Sequence, residues 1–250
     1  MPLEANRIRA ILFDYGNTII PFARPQMDAC DNALRAAIER HLGPVDRNRL
    51  RELRDADRLA PYNNGYREND LTEIVTALVR RLFRRDPTPE QIAVLLQARH
   101  EAVVAAIEAP SYAAAVLTDL AKRYRLALVS NYPDAEAIRA SLRRTGLARF
   151  FESVVISGEV GFVKPHPRPF EVCLEQLSLS PSDAVHVGDN WLADVQGAKR
   201  LGLQMIWTRQ YEPIDSFEVK PGDHQPDLTI QHLTQLTGVF GPRSGQPESS

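Results

Sequence analysis

The chain has 250 residues, 44% of them hydrophobic and 25% charged, with a formal net charge of -2. That length accommodates one large domain or a core with an inserted smaller one, and the composition excludes a disordered polypeptide. The near-neutral balance, with 14 Arg against 14 Asp plus Glu between positions 21 and 108, excludes the pronounced basic patch expected of a partner for nucleic acid or a membrane surface.

In chain order, a first strand is predicted over residues 8–13, a short apolar run that ends at Asp14 and turns through Gly16. From about Arg24 to Glu108 the texture changes to amphipathic helix, with stripes such as Ala33, Leu34, Ala37, Ile38 and Leu42, then Leu71, Ile74, Val75, Leu78, Val79 and Leu82. Two breaks interrupt it: residues 59–65, rich in turn formers, and Asp86-Pro87-Thr88-Pro89-Glu90, a helix-start signature. The arginine pairs in this stretch stand among acids and read as solvated helix faces. After Pro110, helices over 113–122, 134–144, 169–177 and 192–201 alternate with strands over 126–129, 153–156, 184–187 and 203–207. A short strand over 227–230 and a helix over 232–236 follow, and residues 241–250, dense in Gly, Pro and Ser, are expected to form a disordered tail. Strands separated by helices of this length imply right-handed crossovers, and so an α/β fold with a doubly wound parallel sheet.

Cys30 and Cys173 lie far apart without CxxC or CxxH spacing, which points to neither a disulfide framework nor a zinc site and fits a reducing compartment. The N-terminus lacks a basic segment followed by an apolar stretch, and no run of 18 apolar residues occurs, so the expectation is a cytoplasmic protein without a membrane or nucleic-acid partner.

In a parallel sheet the site lies beyond the carboxyl ends of the strands. There the sequence sets Asp14, then Ser130 and Asn131, then Asp189 and Asn190, while Lys164 follows the strand ending at 156 by a short loop. Lys164 is conspicuous because the chain uses four lysines against 26 arginines, so a compact point charge is wanted there. Taken singly, a strand-end Asp can merely cap a turn, and Ser130 or Asn131 can cap a helix. His186 reads as a packed core residue and His166, between prolines, as part of a rigid segment positioning Lys164. Trp191 either packs a helix start or borders the pocket.

The segments Asp14-Tyr15-Gly16-Asn17-Thr18, Leu128-Val129-Ser130-Asn131, Lys164-Pro165-His166-Pro167 and Gly188-Asp189-Asn190 through Asp194, with Gly197-Ala198 beyond, resemble in order and strand context the motifs of the haloacid dehalogenase-like hydrolases. The resemblance implies a Rossmann-like core over residues 1–20 and 109–240 with an inserted α-helical cap over 21–108. It implies Asp14 as a nucleophile that forms an aspartyl-phosphate, and Mg²⁺ bound by Asp14, the backbone carbonyl of Gly16 and Asp189. It further implies phosphate binding by Ser130, Asn131 and Lys164, with Lys164 also holding Asp14 ionised, and an orienting role outside the ligand set for Asp194. The substrate would be a small phosphorylated metabolite. The cap segment 62–67, Tyr15 and Tyr132 are candidates for contacting it.

Gly16 departs from the pattern, because most phosphatases of the family carry there a second Asp that protonates the leaving oxygen and then activates water. Loss of such a group costs roughly 10² to 10⁴ in rate. Three readings follow: a Mg²⁺-dependent phosphatase that tolerates the loss, a different reaction of the family, or a catalytically weak or inactive regulatory or binding protein on the same fold. A haloacid dehalogenase is disfavoured because Asp189 and Asp194 are both present, and a phosphonoacetaldehyde hydrolase because residues 21–108 contain no lysine. Retention of Asp14, Lys164 and Asp189 favours the phosphatase.

Overall fold

The computed structural model describes residues 3–211, 217 and 219–241; the tail expected from residue 241 lies, beyond its first residue, outside them. Six strands form one parallel sheet: β1 (Ala10–Phe13), β2 (Arg125–Ser130), β3 (Ser153–Ile156), β4 (Ala184–Gly188), β5 (Gln204–Thr208) and β6 (Leu228–Ile230), in the order β3-β2-β1-β4-β5-β6. β1 lies between β2 and β4, with Phe13 opposite Leu128 on one side and Val187 on the other. The chain winds outward from β1 to β3 and then returns to β4 across β1, so the strand order reverses beside β1, where such sheets open a crevice for ligands.

All four residues of β1 are buried because both faces of the sheet are covered, which is why the strand reads as a continuous apolar run. Its side chains alternate all the same. Ile11 and Phe13 join the core cluster shared with α5 (Ala113–Ala121) and α6 (Ala135–Arg144), whereas Ala10 and Leu12 join the opposite cluster under α8 (Arg168–Leu177) and α9 (Gly197–Leu201).

Between β1 and α5 stand four helices, α1 (Arg24–His41), α2 (Arg47–Asn63), α3 (Leu71–Phe83) and α4 (Pro89–Ala106), with an apolar cluster of their own built on Leu34, Ile38, Leu50, Leu53, Val75, Leu78, Val79 and Leu95. The break expected over 59–65 falls later than its composition suggested, since α2 runs through Pro61 to Asn63. A proline inside a helix frees the carbonyl four residues before it. Here that acceptor, Asp57 O, is taken by Asn69 Nδ2 at 2.8 Å. The helix expected over 192–201 is a wide π turn at Trp191–Gln196 followed by α9. No helix among the described residues is long and apolar enough to cross a membrane.

Candidate active site

Asp14 continues the alternation of β1. Its backbone N–H donates to Val187 O at 2.9 Å, and its carboxylate takes the same side of the sheet as Leu12, toward Lys164. Lys164 Nζ donates to Asp14 Oδ1 at 2.7 Å and to Asp194 Oδ1 at 2.6 Å, and the lysine is 1% exposed. Burial by itself would strip the proton from such an ammonium, but Asp14 and Asp194 outweigh it and lift its pKa above the ordinary lysine value. For Asp14 burial prevails: it raises the carboxyl's pKa, against the attraction of Lys164 and with the repulsion of Asp194.

Asp194 is held by three donors. His186 Nε2 lies 2.9 Å from Oδ1, beside Lys164, and the Asn190 N–H reaches Oδ2 at 2.9 Å. Burial pushes this acid up, yet Lys164 and His186 together keep it far below the usual carboxylate range. Local chain geometry delivers it there. Asn190 caps the π turn by accepting from Ala193 N at 2.8 Å, and the wide turn brings Asp194 back over Gly188. A Cβ on Gly188 would stand 2.3 Å from Asp194 Cγ, so only glycine allows the approach. Gly197 serves in the same way, since its Cβ would stand 3.0 Å from Pro165 Cα, beside Lys164.

Asp189 accepts from Thr18 Oγ1 at 3.3 Å. Burial raises its pKa well above the usual value, and the charges of Asp14 and Asp194 add to the effect. One lysine thus faces three acids, Asp14 and Asp194 buried and Asp189 partly so, whose ligand atoms all lie within 4.8 Å of one another. This surplus of negative, hard oxygen donors is suited to a divalent cation such as Mg²⁺, so the residues present fit that metal. Gly16 lines the same cavity, and a Cβ there would meet Phe22 Cβ at 3.4 Å, an ordinary contact. The turn around it is closed by Asn17, at φ 53°, a left-handed conformation that asparagine tolerates, whose side chain accepts from Phe22 N at 3.0 Å.

Ser130 and Asn131 also line the cavity. The Asn131 amide is engaged with the backbone of Lys164, accepting from its N–H at 2.8 Å and donating to its carbonyl at 3.0 Å. It therefore fastens the lysine's loop as well as facing the site.

The cavity measures about 240 Å³. The four-helix insertion contributes Met27, Cys30, Asp31, Arg54, Asp57, Arg58, Pro61, Tyr62, Glu68, Asn69, Ile74 and Arg99 to its wall. Of segment 62–67 only Tyr62 is among the lining residues. Tyr66 and Arg67 of the segment, with Glu68 beyond it, fasten the insertion to the loop that precedes Lys164: Val163 N donates to Tyr66 O at 2.9 Å, Glu68 N to Gly161 O at 3.0 Å, and Arg67 bridges Phe162. Tyr132 borders the cavity, but Tyr15 does not. The parity of β1 sends Tyr15 to the face opposite Asp14, where it is 1% exposed with its hydroxyl 3.2 Å from Ser141 Oγ. Trp191 packs edge-on against Trp207 and donates to Asp223 Oδ2 at 2.8 Å, away from the cavity. His166 stacks on Phe162 with ring centroids 4.0 Å apart. Burial pushes the Cys30 thiol up to about 11, which keeps it protonated and unsuited to nucleophilic attack.

Three features escaped the sequence reading. His186 is a core residue as expected, but one that bonds Asp194, and only its distance of eight residues from that acid across a strand end hinted at it. Arg54, Asp57, Arg58 and Pro61 recur at i, i+3, i+4 and i+7, which sets one stripe of α2 against the cavity. Arg99 interrupts the buried stripe of α4 between Leu95 and Val103.

A family model described as haloacid dehalogenase-like hydrolase matches residues 8–202. The chain is 31% identical over 238 residues to a glyceraldehyde 3-phosphate phosphatase of Methanopyrus kandleri, covering 93% of this chain and 97% of that one. It is 30% identical over 249 residues to the protein of the same name in Pyrococcus furiosus, covering 96% and 95%. Among solved structures, a magnesium-bound hydrolase of this family from Bacillus subtilis superposes with a TM-score of 0.68, covering 94% of this chain and 100% of that one. At 22% identity that likeness is one of fold.

Proposed function

We propose, for a chain that belongs to the haloacid dehalogenase-like hydrolases and whose full-length relatives are phosphatases, a Mg²⁺-dependent hydrolysis of small phosphate monoesters through an aspartyl-phosphate on Asp14. The observation that carries this reading is the cluster of Asp14, Lys164, Asp189 and Asp194 at the strand ends, facing a cavity of metabolite size. Residues 1–20 and 109–240 would form the core and 21–108 the cap that closes over the ester and excludes water.

In this reading one oxygen of Asp14 attacks phosphorus, the bond from phosphorus to the alcohol oxygen breaks, and that oxygen takes a proton. Water then attacks the aspartyl-phosphate, releasing phosphate and restoring the carboxylate. Asp14 and Asp189, with the Gly16 carbonyl, would hold Mg²⁺, which supplies charge neutralisation between carboxylate and phosphate when bound. Lys164 and Ser130 would bind the phosphoryl oxygens, with Asn131 setting the lysine's loop, and Asp194 would orient Lys164 from its three hydrogen bonds.

With Gly16 in place of an acid, the leaving oxygen draws its proton from water or from the cap, and the second half-reaction is the slower one. Room exists for the missing side chain, given the 3.4 Å contact of a Cβ with Phe22. The test is a panel of phosphate esters with Mg²⁺ and with chelator, followed by acid-quench trapping of phosphoenzyme. Metal-dependent phosphate release, a phosphoenzyme on Asp14, and its shorter life in Gly16→Asp are the expected results. Absence of phosphate release across the panel would overturn the reading in favour of a binding protein, and metal-independent halide release from 2-haloacids in favour of a dehalogenase.

A further inference from the structure

Among the charges that the insertion brings to the cavity, which the chemistry above leaves unused, Arg99 is the one cation given no ion pair among the described residues. Along α4 the buried residues Leu95, Arg99 and Val103 share one face, four positions apart. Leu95 belongs to the apolar cluster of the insertion and Val103 to that of the sheet, so Arg99 stands at the seam between them, where the cavity lies. It is 7% exposed, and among the described residues its Nε and Nη1 have no hydrogen-bond partner. Neighbouring charges on this wall are each paired at least once: Arg54 with Asp31 at 3.2 Å, Arg58 with Asp55 at 3.1 Å, Asp57 with Arg81 at 3.0 Å through Oδ1, its Oδ2 being without a partner among the described residues, and Glu68 accepts from the Ser157 hydroxyl and from Asn69 N.

Burying a guanidinium without a partner is strongly unfavourable, and a hydrophobe at this position would pack with no such penalty. The cost is offset when an anion enters, and the planar fork of an arginine matches a carboxylate or a phosphate with two parallel hydrogen bonds. We propose that Arg99 receives a second anionic group of the substrate, so that the preferred esters carry a carboxylate or a further phosphate at the end remote from the phosphate facing Asp14. The volume of about 240 Å³ lies below the roughly 300 to 1,000 Å³ of sites for drug-sized ligands, which restricts such a compound to a few carbons. This assignment rests on the phosphatase reading and narrows its substrate class.

The test compares 3-phosphoglycerate with D-glyceraldehyde 3-phosphate, which differ only in the oxidation state of the far carbon, and adds propane-1,3-diol bisphosphate as a third arm. Binding of 3-phosphonopropionate against propylphosphonate, read by calorimetry on the full chain with Mg²⁺, repeats the comparison without turnover. The expected preference for the doubly anionic member is about 10- to 100-fold in kcat/KM and in Kd. It falls toward one in Arg99→Met and is kept in part by Arg99→Lys. A larger kcat/KM for the bisphosphate than for the carboxylate identifies the second anion as phosphate, and the reverse as carboxylate. Equal use of charged and neutral members by the wild type overturns the assignment while leaving the phosphatase reading intact, and so does a preference that survives in Arg99→Met. Should Arg99→Met fail to fold, the wild-type comparison still decides. No hydrolysis of any ester, with the phosphonate preference retained, would overturn the phosphatase reading and leave the anion site standing.

Discussion

At the strand ends, Lys164, Asp194 and His186 are at most 1% exposed and are bonded to one another, whereas on the insertion the ion pairs facing the same cavity leave Arg54 18% and Arg58 29% exposed at the side chain. A charge sealed among fixed partners keeps one geometry, because every alternative leaves an uncompensated ion in the interior. A pair that keeps some contact with solvent is worth less and can exchange its partner for water or for a ligand. The two walls are thus suited to different work, the sheet to holding reacting atoms in register and the insertion to choosing what enters.

Substitutions on the two sides should separate these roles. The largest effect is expected from Asp14→Asn, which removes the oxygen that attacks in the proposed mechanism and should lower kcat by at least about 10⁴-fold in a phosphate-release assay, with the fold intact by circular dichroism. Lys164→Met leaves Asp14 and Asp194 buried without their cation. It should cost about 3 to 5 kcal/mol in urea unfolding, a loss that would fail to appear if water reached the site freely.

A third probe concerns Asp189. Its raised pKa in the metal-free protein means that the folded state binds a proton more readily than the unfolded chain. Its contribution is fully present below the unfolded carboxylate value and is lost as pH rises through the higher folded one. Metal-free protein should therefore lose Tm as pH rises above the ordinary carboxylate range, and Asp189→Asn should flatten that slope. Asp194, held low, contributes in the opposite sense only at stronger acid and leaves this window undisturbed. Mg²⁺ at a hundred times its Kd should add about 2.7 kcal/mol of stability to the wild type and far less to Asp189→Asn. The smallest effect is expected on the insertion, where Arg54→Ala, losing its 3.2 Å bridge to Asp31, should change stability by no more than about 1 kcal/mol. A cost as large as that of Lys164→Met would erase the distinction between the walls.

The same division governs what could be read without coordinates. The sheet was legible because burial on both faces writes each strand as an unbroken apolar run, and because the candidate site residues collect where those runs stop, at Asp14, Ser130 and Gly188. Side-chain parity was legible too, yet went unapplied to Tyr15, which the alternation of Ile11 and Phe13 sends to the far face. The insertion hid its site residues since Arg54, Asp57 and Arg58 look like any solvated helix face until the cavity opposite them is known. Pro61 read as a break because a proline usually ends a helix, and the acceptor it frees is met by Asn69, eight residues on, which no local pattern reports.

The amide of Asp14 donates to Val187 O inside the central ladder of the sheet. In hydrogen-exchange terms, that proton should be released to solvent only when the whole sheet comes apart, on the slowest timescale the molecule has. Amides of the segment after α2, held to the loop that precedes Lys164 by single bonds such as Glu68 N to Gly161 O, should exchange sooner. On the proposed mechanism the attacking group then keeps its address while the segment across the cavity opens and closes beside it.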